Sequence, residues 1–224
     1  MKRMDLGIGK DVLIPENWDE LTLRHYIAIS RGVKDTVGVV VALTGLSERE
    51  VLNSNPNVIE MKVLPFVDWV IETEPNFNVN EVPKTIKIKD KQVKVPKELE
   101  FKTYGQKVYL TNRIMEVFKD QQDPEESIKN EKFLENFIEL IPDALATYLY
   151  PEYSGKPFDT EELAEFREFV LDNTKAKEGY PIAYFFLMRS IDSMKSRIST
   201  LVDRTAMKNS KQGSKILKSL GILG

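Results

Sequence analysis

A chain that runs acid–base, nucleophilic or metal chemistry needs a few particular side chains at workable spacing, and this sequence is poor in them. It has one histidine, His25, and no cysteine among 224 residues. Without cysteine there is no thiolate nucleophile, zinc–thiolate site or disulfide. No second histidine exists to share a metal, and any serine triad would have to take His25 as its base. Next to Tyr26 on an expected helix, His25 reads as a surface or hydrogen-bond-satisfied side chain. Gly7-Ile8-Gly9-Lys10 has the lysine of a phosphate loop with the wrong spacing. A P-loop wants four residues between its glycines and Ser or Thr after the lysine, whereas here one residue separates them and Asp11 follows. Val12 stands where a dinucleotide fingerprint needs its third glycine.

Two carboxylate groups call for the same test. Asp123-Pro124-Glu125-Glu126 reads as a helix start, where acids complement the dipole. Glu161, Glu162, Glu165 and Glu168 read as the wet face opposite Leu163, Phe166 and Val170. Neither group has calcium-loop spacing. The aromatic groups Tyr148/Tyr150/Tyr153 and Tyr180/Tyr184/Phe185/Phe186 lack the interleaved Lys and Arg of a nucleic-acid stacking surface. Core packing or a protein interface accounts for them better. The sequence therefore reads as non-enzymatic, with no catalytic residue, metal ligand or cofactor site.

Charge is where a partner is asked for. The net charge is −3. No acidic residue follows Asp203, while Arg204, Lys208, Lys211, Lys215 and Lys218 contribute +5, which leaves residues 1–203 at −8. Spaced three or four apart, these lysines would line up on a helix. Ile216, Leu217, Leu220, Ile222 and Leu223 add apolar anchors. The expected partner-binding set is Arg204, Lys208, Lys211, Lys215, Ile216, Leu217, Lys218 and Leu220, the bland alternative being a frayed terminus. The longest apolar runs, Val37–Leu43 and Ile182–Met188, are far short of the ~20 residues a membrane span needs. The N-terminus lacks the apolar core of a secretory signal, so synthesis in a cytoplasm and no membrane partner are expected.

The elements that would carry these residues are mostly helices, giving an α+β fold, mainly α: helical lobes, one β-hairpin and a basic C-terminal extension. Three regions are expected, residues 1–82 as an N-terminal helical lobe, 83–203 as hairpin plus helical lobe, and 204–224 as the tail. Thr22 should cap a helix stopped at Gly32, and Asp35 or Thr36 should open one through Leu43. Ser47 should start a short helix by a capping box, and Asn57 a longer one to Glu72 or Thr73. The last of these is apolar all round, hence buried, with a kink at Pro65. Ile86/Ile88 and Val93/Val95 alternate with lysines and predict the hairpin, with its turn near Asp90. Helices should follow over Thr103–Lys119 and Ile128–Ile141, with a short turn over Leu145–Tyr150 stopped by Pro151. Thr160 should cap another helix, and a long one should begin at Pro181. On that last helix Tyr184, Leu187, Met188, Ile191, Met194, Ile198, Leu201 and Val202 form one stripe. An internal echo at an offset of 81 relates Ile14-Pro15…Thr22 to Val95-Pro96…Thr103. Two copies of one supersecondary unit would explain it, chance similarity being the alternative.

Some segments resemble a known family. Ala42-Leu43-Thr44-Gly45-Leu46-Ser47-Glu48-Arg49-Glu50-Val51-Leu52, followed by an apolar helix with Trp69, is similar to a segment of bacteriophage tail assembly chaperones. Ile14-Pro15-Glu16-Asn17-Trp18-Asp19-Glu20-Leu21-Thr22, the hairpin ending Val95-Pro96, and Tyr184-Phe185-Phe186-Leu187 resemble tail-cluster virion proteins of crAss-like phages of Bacteroidetes. The resemblance implies a non-enzymatic protein of the virion or tail, made in the host cytoplasm, with other tail or virion proteins as partners and a homo-oligomeric place in a particle. Its greater length, hairpin and basic tail favour a component retained in the particle (structural, connector or packaged cargo). The alternatives are a transient tail assembly chaperone or scaffold, and a nucleic-acid-binding protein working through the tail.

Overall fold

The computed structural model describes residues 1–6, 9, 11–31, 35–72, 75, 77–96, 101–118 and 131–208. The fold is α+β, mainly α, with two small antiparallel hairpins, each followed in the chain by a capped helix. β1 (Lys2–Asp5) pairs with β2 (Asp11–Ile14), with Met4 opposite Val12. β3 (Thr85–Ile88) pairs with β4 (Lys91–Lys94), with Ile86 opposite Val93. Side chains alternate across a strand, and both hairpins bury the same four positions: Met4, Leu6, Val12 and Ile14 in one, Ile86, Ile88, Val93 and Val95 in the other. The first hairpin corrects the expectation of a merely extended segment before Pro15.

After each hairpin comes a proline and, with six residues between, a threonine (Pro15 and Thr22, Pro96 and Thr103). Thr22 caps α1 (Leu23–Ser30) and Thr103 caps α6 (Tyr104–Val117). Both caps are reciprocal: the threonine hydroxyl accepts from the third helical N–H, and the side chain of that residue, His25 or Gln106, accepts from the threonine N–H. The echo at offset 81 thus relates two hairpins that are each followed by a threonine-capped helix.

Between the two units, Asp35 caps α2 (Thr36–Thr44), which ends at Gly45 with φ 69°. Ser47 caps α3 (Glu48–Leu52). The next helix starts two residues earlier than expected. Asn55, not Asn57, caps α4 (Pro56–Val58), because Pro56 is suited to the first helical position and leaves Asn55 outside. A wide π turn, Ile59–Val63, leads into α5 (Leu64–Glu72), with the Leu64 N–H bonded to the Ile59 carbonyl five residues back. That widening accommodates Pro65, whose ring would otherwise press on the carbonyl four residues before it. Nor is this helix enclosed on all sides. Val63 and Val67 are buried, but Met61 is 76% exposed.

α7 (Glu131–Ser154) overturns the expected break between a helix and a separate turn; it is continuous, with Pro142 and Pro151 inside. The run from Leu140 to Tyr150 is buried throughout, so packing on every side holds it helical. Pro151 leaves the Thr147 carbonyl without its helical donor, and the buried Gln106 Nε2 donates to that carbonyl instead, at 2.7 Å. α8 (Thr160–Asn173) is capped by Asp159, whose carboxylate accepts from the Glu161 and Glu162 N–H groups; Thr160, the expected cap, is the first helical residue.

α9 (Ala176–Lys208) begins before Pro181, which lies inside it. The earlier start follows from Thr174 and Ala176. The Leu23 N–H donates to Thr174 O at 3.0 Å and the Ala176 N–H to Leu21 O at 2.8 Å, fixing the extended entry against α1. Gly179 permits the close approach: a Cβ there would lie 2.6 Å from Leu23 Cδ1 and 3.0 Å from Thr174 Cγ2. The buried face of α9 is Ile182, Ala183, Phe186 and Leu187, with Tyr184, Met188 and Ile191 half-buried. Phe186, absent from the expected stripe, stacks on Tyr148 with ring centroids 3.8 Å apart. The side chains of Met194, Ile198, Leu201 and Val202 lie outside the described residues.

Two cores result. The larger joins β3–β4 to α6, α7, α8 and α9; the smaller joins β1–β2 to α2, α3 and α5. α1 serves both, sending Leu23 and Ile27 into the larger while Tyr26 and Ile29 pack on the smaller.

Candidate interaction surface

The sequence placed partner binding in the basic tail. α9 carries the backbone of Arg204 and ends at Lys208, so the helix continues past the expected boundary at Asp203. The side chains of Arg204 and Lys208, and all of Lys211, Lys215, Ile216, Leu217, Lys218 and Leu220, lie outside the described residues. So do Asp123-Pro124-Glu125-Glu126 and Lys10 of the glycine motif.

The second cationic surface is the outer face of β3–β4. Lys87 lies opposite Gln92 and Lys94 opposite Thr85, both pairs exposed. Gln92 Nε2 donates to Thr85 Oγ1 across the strands at 2.9 Å. Lys89, at φ 54°, forms the turn with Asp90, and its N–H donates to Asn173 O at the end of α8, at 2.9 Å. Lys84, Lys87, Lys89 and Lys94 are exposed and take part in no ion pair among the described residues. Lys91 differs. It lies over the Tyr153 ring, 4.9 Å from the centroid, and donates to the Tyr153 carbonyl, capping the C-terminal end of α7. The corresponding face of β1–β2 bears Arg3 opposite Leu13 and Asp5 opposite Asp11, with Arg3 Nε 3.7 Å from the Asp11 carboxylate. The two hairpins share a buried face and differ in the exposed one.

A carboxylate stripe runs along α8 near the β3–β4 turn. Glu161, Glu165, Glu168 and Asp172 are exposed at helical spacing. Arg24 reaches the last two from α1, bonding to Glu168 at 3.0 Å and to both oxygens of Asp172. Glu162 stands aside from the stripe, paired with Lys156 Nζ at 2.7 Å.

The remaining titratable groups are occupied inside the fold. His25 is half-buried, and its Nδ1 accepts from the Thr22 N–H at 3.2 Å. Burial pushes the imidazole below its ordinary value; Asp172 opposes that shift, and Lys175 and Arg24 reinforce it. Asp143, fully buried within the apolar run of α7, ties three helices together. Tyr109 Oη donates to it at 2.6 Å, Arg113 Nε lies 3.4 Å away, and Arg167 Nη1 approaches to 3.4 Å. Desolvation, with the Asp143 hydrogen bond adding to it, pushes the Tyr109 phenol up to about 12. Sequence reading missed this cluster, although an aspartate inside Leu140-Ile141-Pro142-Asp143-Ala144-Leu145 was a visible sign of a buried charge needing partners. Tyr148, Tyr150 and Tyr153 pack on Phe186, Phe166 and Phe169, as aromatic core residues do.

Among the described residues, no group of three or more His, Asp or Glu is placed to hold a metal ion, and no helix is long and apolar enough to cross a membrane. No protein-family model, curated protein or solved structure matches the chain.

Proposed function

We propose that this chain is a non-enzymatic bacteriophage virion or tail-associated protein that acts through protein–protein contacts, as a structural, connector or packaged cargo component. The observation that carries the binding half of this reading is how the polar groups are used. His25 is committed to a helix cap and Asp143 to a buried tie between helices, while the lysines of β3–β4 and the carboxylates of α8 face outward. Groups spent on architecture inside and charge displayed outside suit a binding protein better than a catalyst.

The phage half rests on the sequence resemblance, and the fold gives its main motif a physical content. Leu43 and Leu46 are buried on either side of Gly45, which takes the left-handed conformation that ends α2. Thr44 Oγ1 accepts from the Leu46 N–H at 3.3 Å, and Ser47 and Glu50 cap α3 reciprocally. The motif builds a corner between two helices, which identifies a supersecondary unit and leaves the partner open.

The test is quantitative mass spectrometry of purified mature particles and of assembly intermediates from the encoding phage. The protein should be present at fixed stoichiometry in mature particles. Presence in intermediates alone would replace this reading with a transient chaperone, and absence from both would end it.

A further inference from the structure

We infer that the outer face of the β3–β4 hairpin docks on the carboxylate stripe of α8 in a second copy of this chain. The inference goes beyond the phage reading and does not need it, since it concerns the isolated protein.

The two hairpins supply an internal comparison. Fold and burial require the inner positions to be apolar in both, and they are. Nothing in the fold requires the outer positions of β3–β4 to be lysine, since β1–β2 has Arg3, Asp5, Asp11 and Leu13 in that role. Segment 84–94 carries five lysines against Asp90 alone; Lys91 is the one whose side chain is used at the end of α7, and the Glu178 carboxylate reaches the edge of the patch, accepting from the Lys87 backbone N–H at 3.4 Å. The side chains of Lys87, Lys89 and Lys94, with Lys84 beside them, enter no ion pair among the described residues, in a body of net negative charge.

The occupant follows from charge and shape. Nucleic acid fits poorly: segment 84–94 itself has no aromatic side chain on which to stack a base, the nearby Tyr153 ring being covered by Lys91, and no arginine fork to grip phosphate. The acidic body around it would also repel a long polyanion. A short acidic surface fits better, and the chain displays one. Glu161 and Glu165, on the first half of α8, are exposed and enter no ion pair among the described residues, whereas Glu168 and Asp172 are held by Arg24. Within one molecule the two faces adjoin at the Lys89–Asn173 hydrogen bond. A patch that is basic on one side and acidic on the other is self-complementary, as a two-fold dimer interface must be. Exposed pairs contribute little each, so the association should be weak, reversible and strongly salt-dependent.

Sedimentation velocity of the full chain reads this directly. Self-association should appear at about 0.01 M salt, where charges act over ~30 Å, and vanish at about 1 M, where they act over ~3 Å. Lys87→Glu with Lys94→Glu should abolish it, and so should Glu161→Lys with Glu165→Lys, while both variants melt at the wild-type temperature because all four positions are exposed. Mixing the two swapped variants should restore a dimer that neither forms alone. Arg3→Glu, on the other hairpin, should leave association unchanged. A chain monomeric under all conditions overturns the inference, as does a mixture that fails to recover. Lysine-dependent binding of a DNA duplex by a chain that stays monomeric would also overturn it, pointing to nucleic acid.

Discussion

At the scale of single residues, polar side chains in this fold hold backbone in place. Gln106 does two jobs at once: its Oε1 accepts from the Thr103 N–H at 3.0 Å, and its Nε2 donates to the carbonyl that Pro151 leaves free. Gln106→Glu separates them. Glutamate is a good third residue for a capping box, so the cap survives, but a carboxylate facing the Thr147 carbonyl has no proton to donate. We expect a cost of about 1–3 kcal/mol in chemical denaturation; a variant as stable as wild type would show that the carbonyl freed by Pro151 is satisfied otherwise. His25 makes a similar cap with a group that titrates. Its Nδ1 accepts only while unprotonated, and burial lowers its pKa below the ordinary 6.5. The folded state thus binds its proton less readily than the unfolded chain. The contribution is complete above pH 6.5 and is lost as pH falls through the lowered value. As the sole histidine, it gives one imidazole signal for NMR titration. His25→Gln, which keeps an acceptor at every pH, should remove this part of the acid-side stability loss. An imidazole titrating at or above the ordinary 6.5 would contradict the buried cap.

At the scale of elements, what was legible was whatever depends on neighbours in sequence. The caps at Thr22, Asp35, Ser47 and Thr103 could be read because side chain and backbone partner lie within three residues of each other. The second hairpin was legible from Ile86-Lys87-Ile88 and Val93-Lys94-Val95. The first was not, although Met4-Asp5-Leu6 alternates in the same way, because Gly7-Ile8-Gly9-Lys10 between its strands resembles a phosphate loop more than a hairpin turn. Continuity of α7 through Pro151 was illegible for a physical reason: the compensating donor, Gln106, is 41 residues away from the carbonyl it serves. The entry into α9 likewise depends on Leu21 and Leu23, held there by long-range backbone bonds. Two glycines make the contrast testable. Gly45 has φ 69°, and a Cβ added there would have nothing within 4 Å, so Gly45→Ala meets backbone strain alone. It should cost about 1–2 kcal/mol. At Gly179 the cost is steric, since a methyl would meet Leu23 and Thr174 inside the joint between α1 and α9. Gly179→Ala should cost at least as much, and Leu23→Val on top of it should recover part by making room, whereas the same change in the wild type should only destabilise. Strict additivity in that double-mutant cycle would mean the contact is not felt.

At the scale of the whole molecule, the two cores meet where α1 packs on the start of α9. α1 buries side chains in both cores, and the bridge of Thr22 with Lys175 fastens it to the start of α9. Among the described side chains of α9 the last buried one is Ser190, fourteen positions before Arg204. Removing residues 209–224 therefore takes away three of the five tail cations and the apolar anchors Ile216, Leu217 and Leu220 while leaving α9 whole. This cut is better placed than one after Asp203, which would shorten the helix itself. We expect the truncated chain to melt within a degree or two of the full one, a ΔΔG inside about 0.5 kcal/mol, and to fail in particle incorporation. Double charge reversal at Lys211 and Lys215 should weaken partner association mainly at low salt, because exposed charges are screened beyond ~10 Å at 0.1 M. The apolar anchors should supply a salt-resistant remainder. Self-association through β3–β4 should survive the truncation, since Lys87, Lys94, Glu161 and Glu165 are untouched. A truncated chain that incorporates normally would leave the basic end without a docking role, and one that also loses self-association would move the dimer contact from the hairpin to the tail.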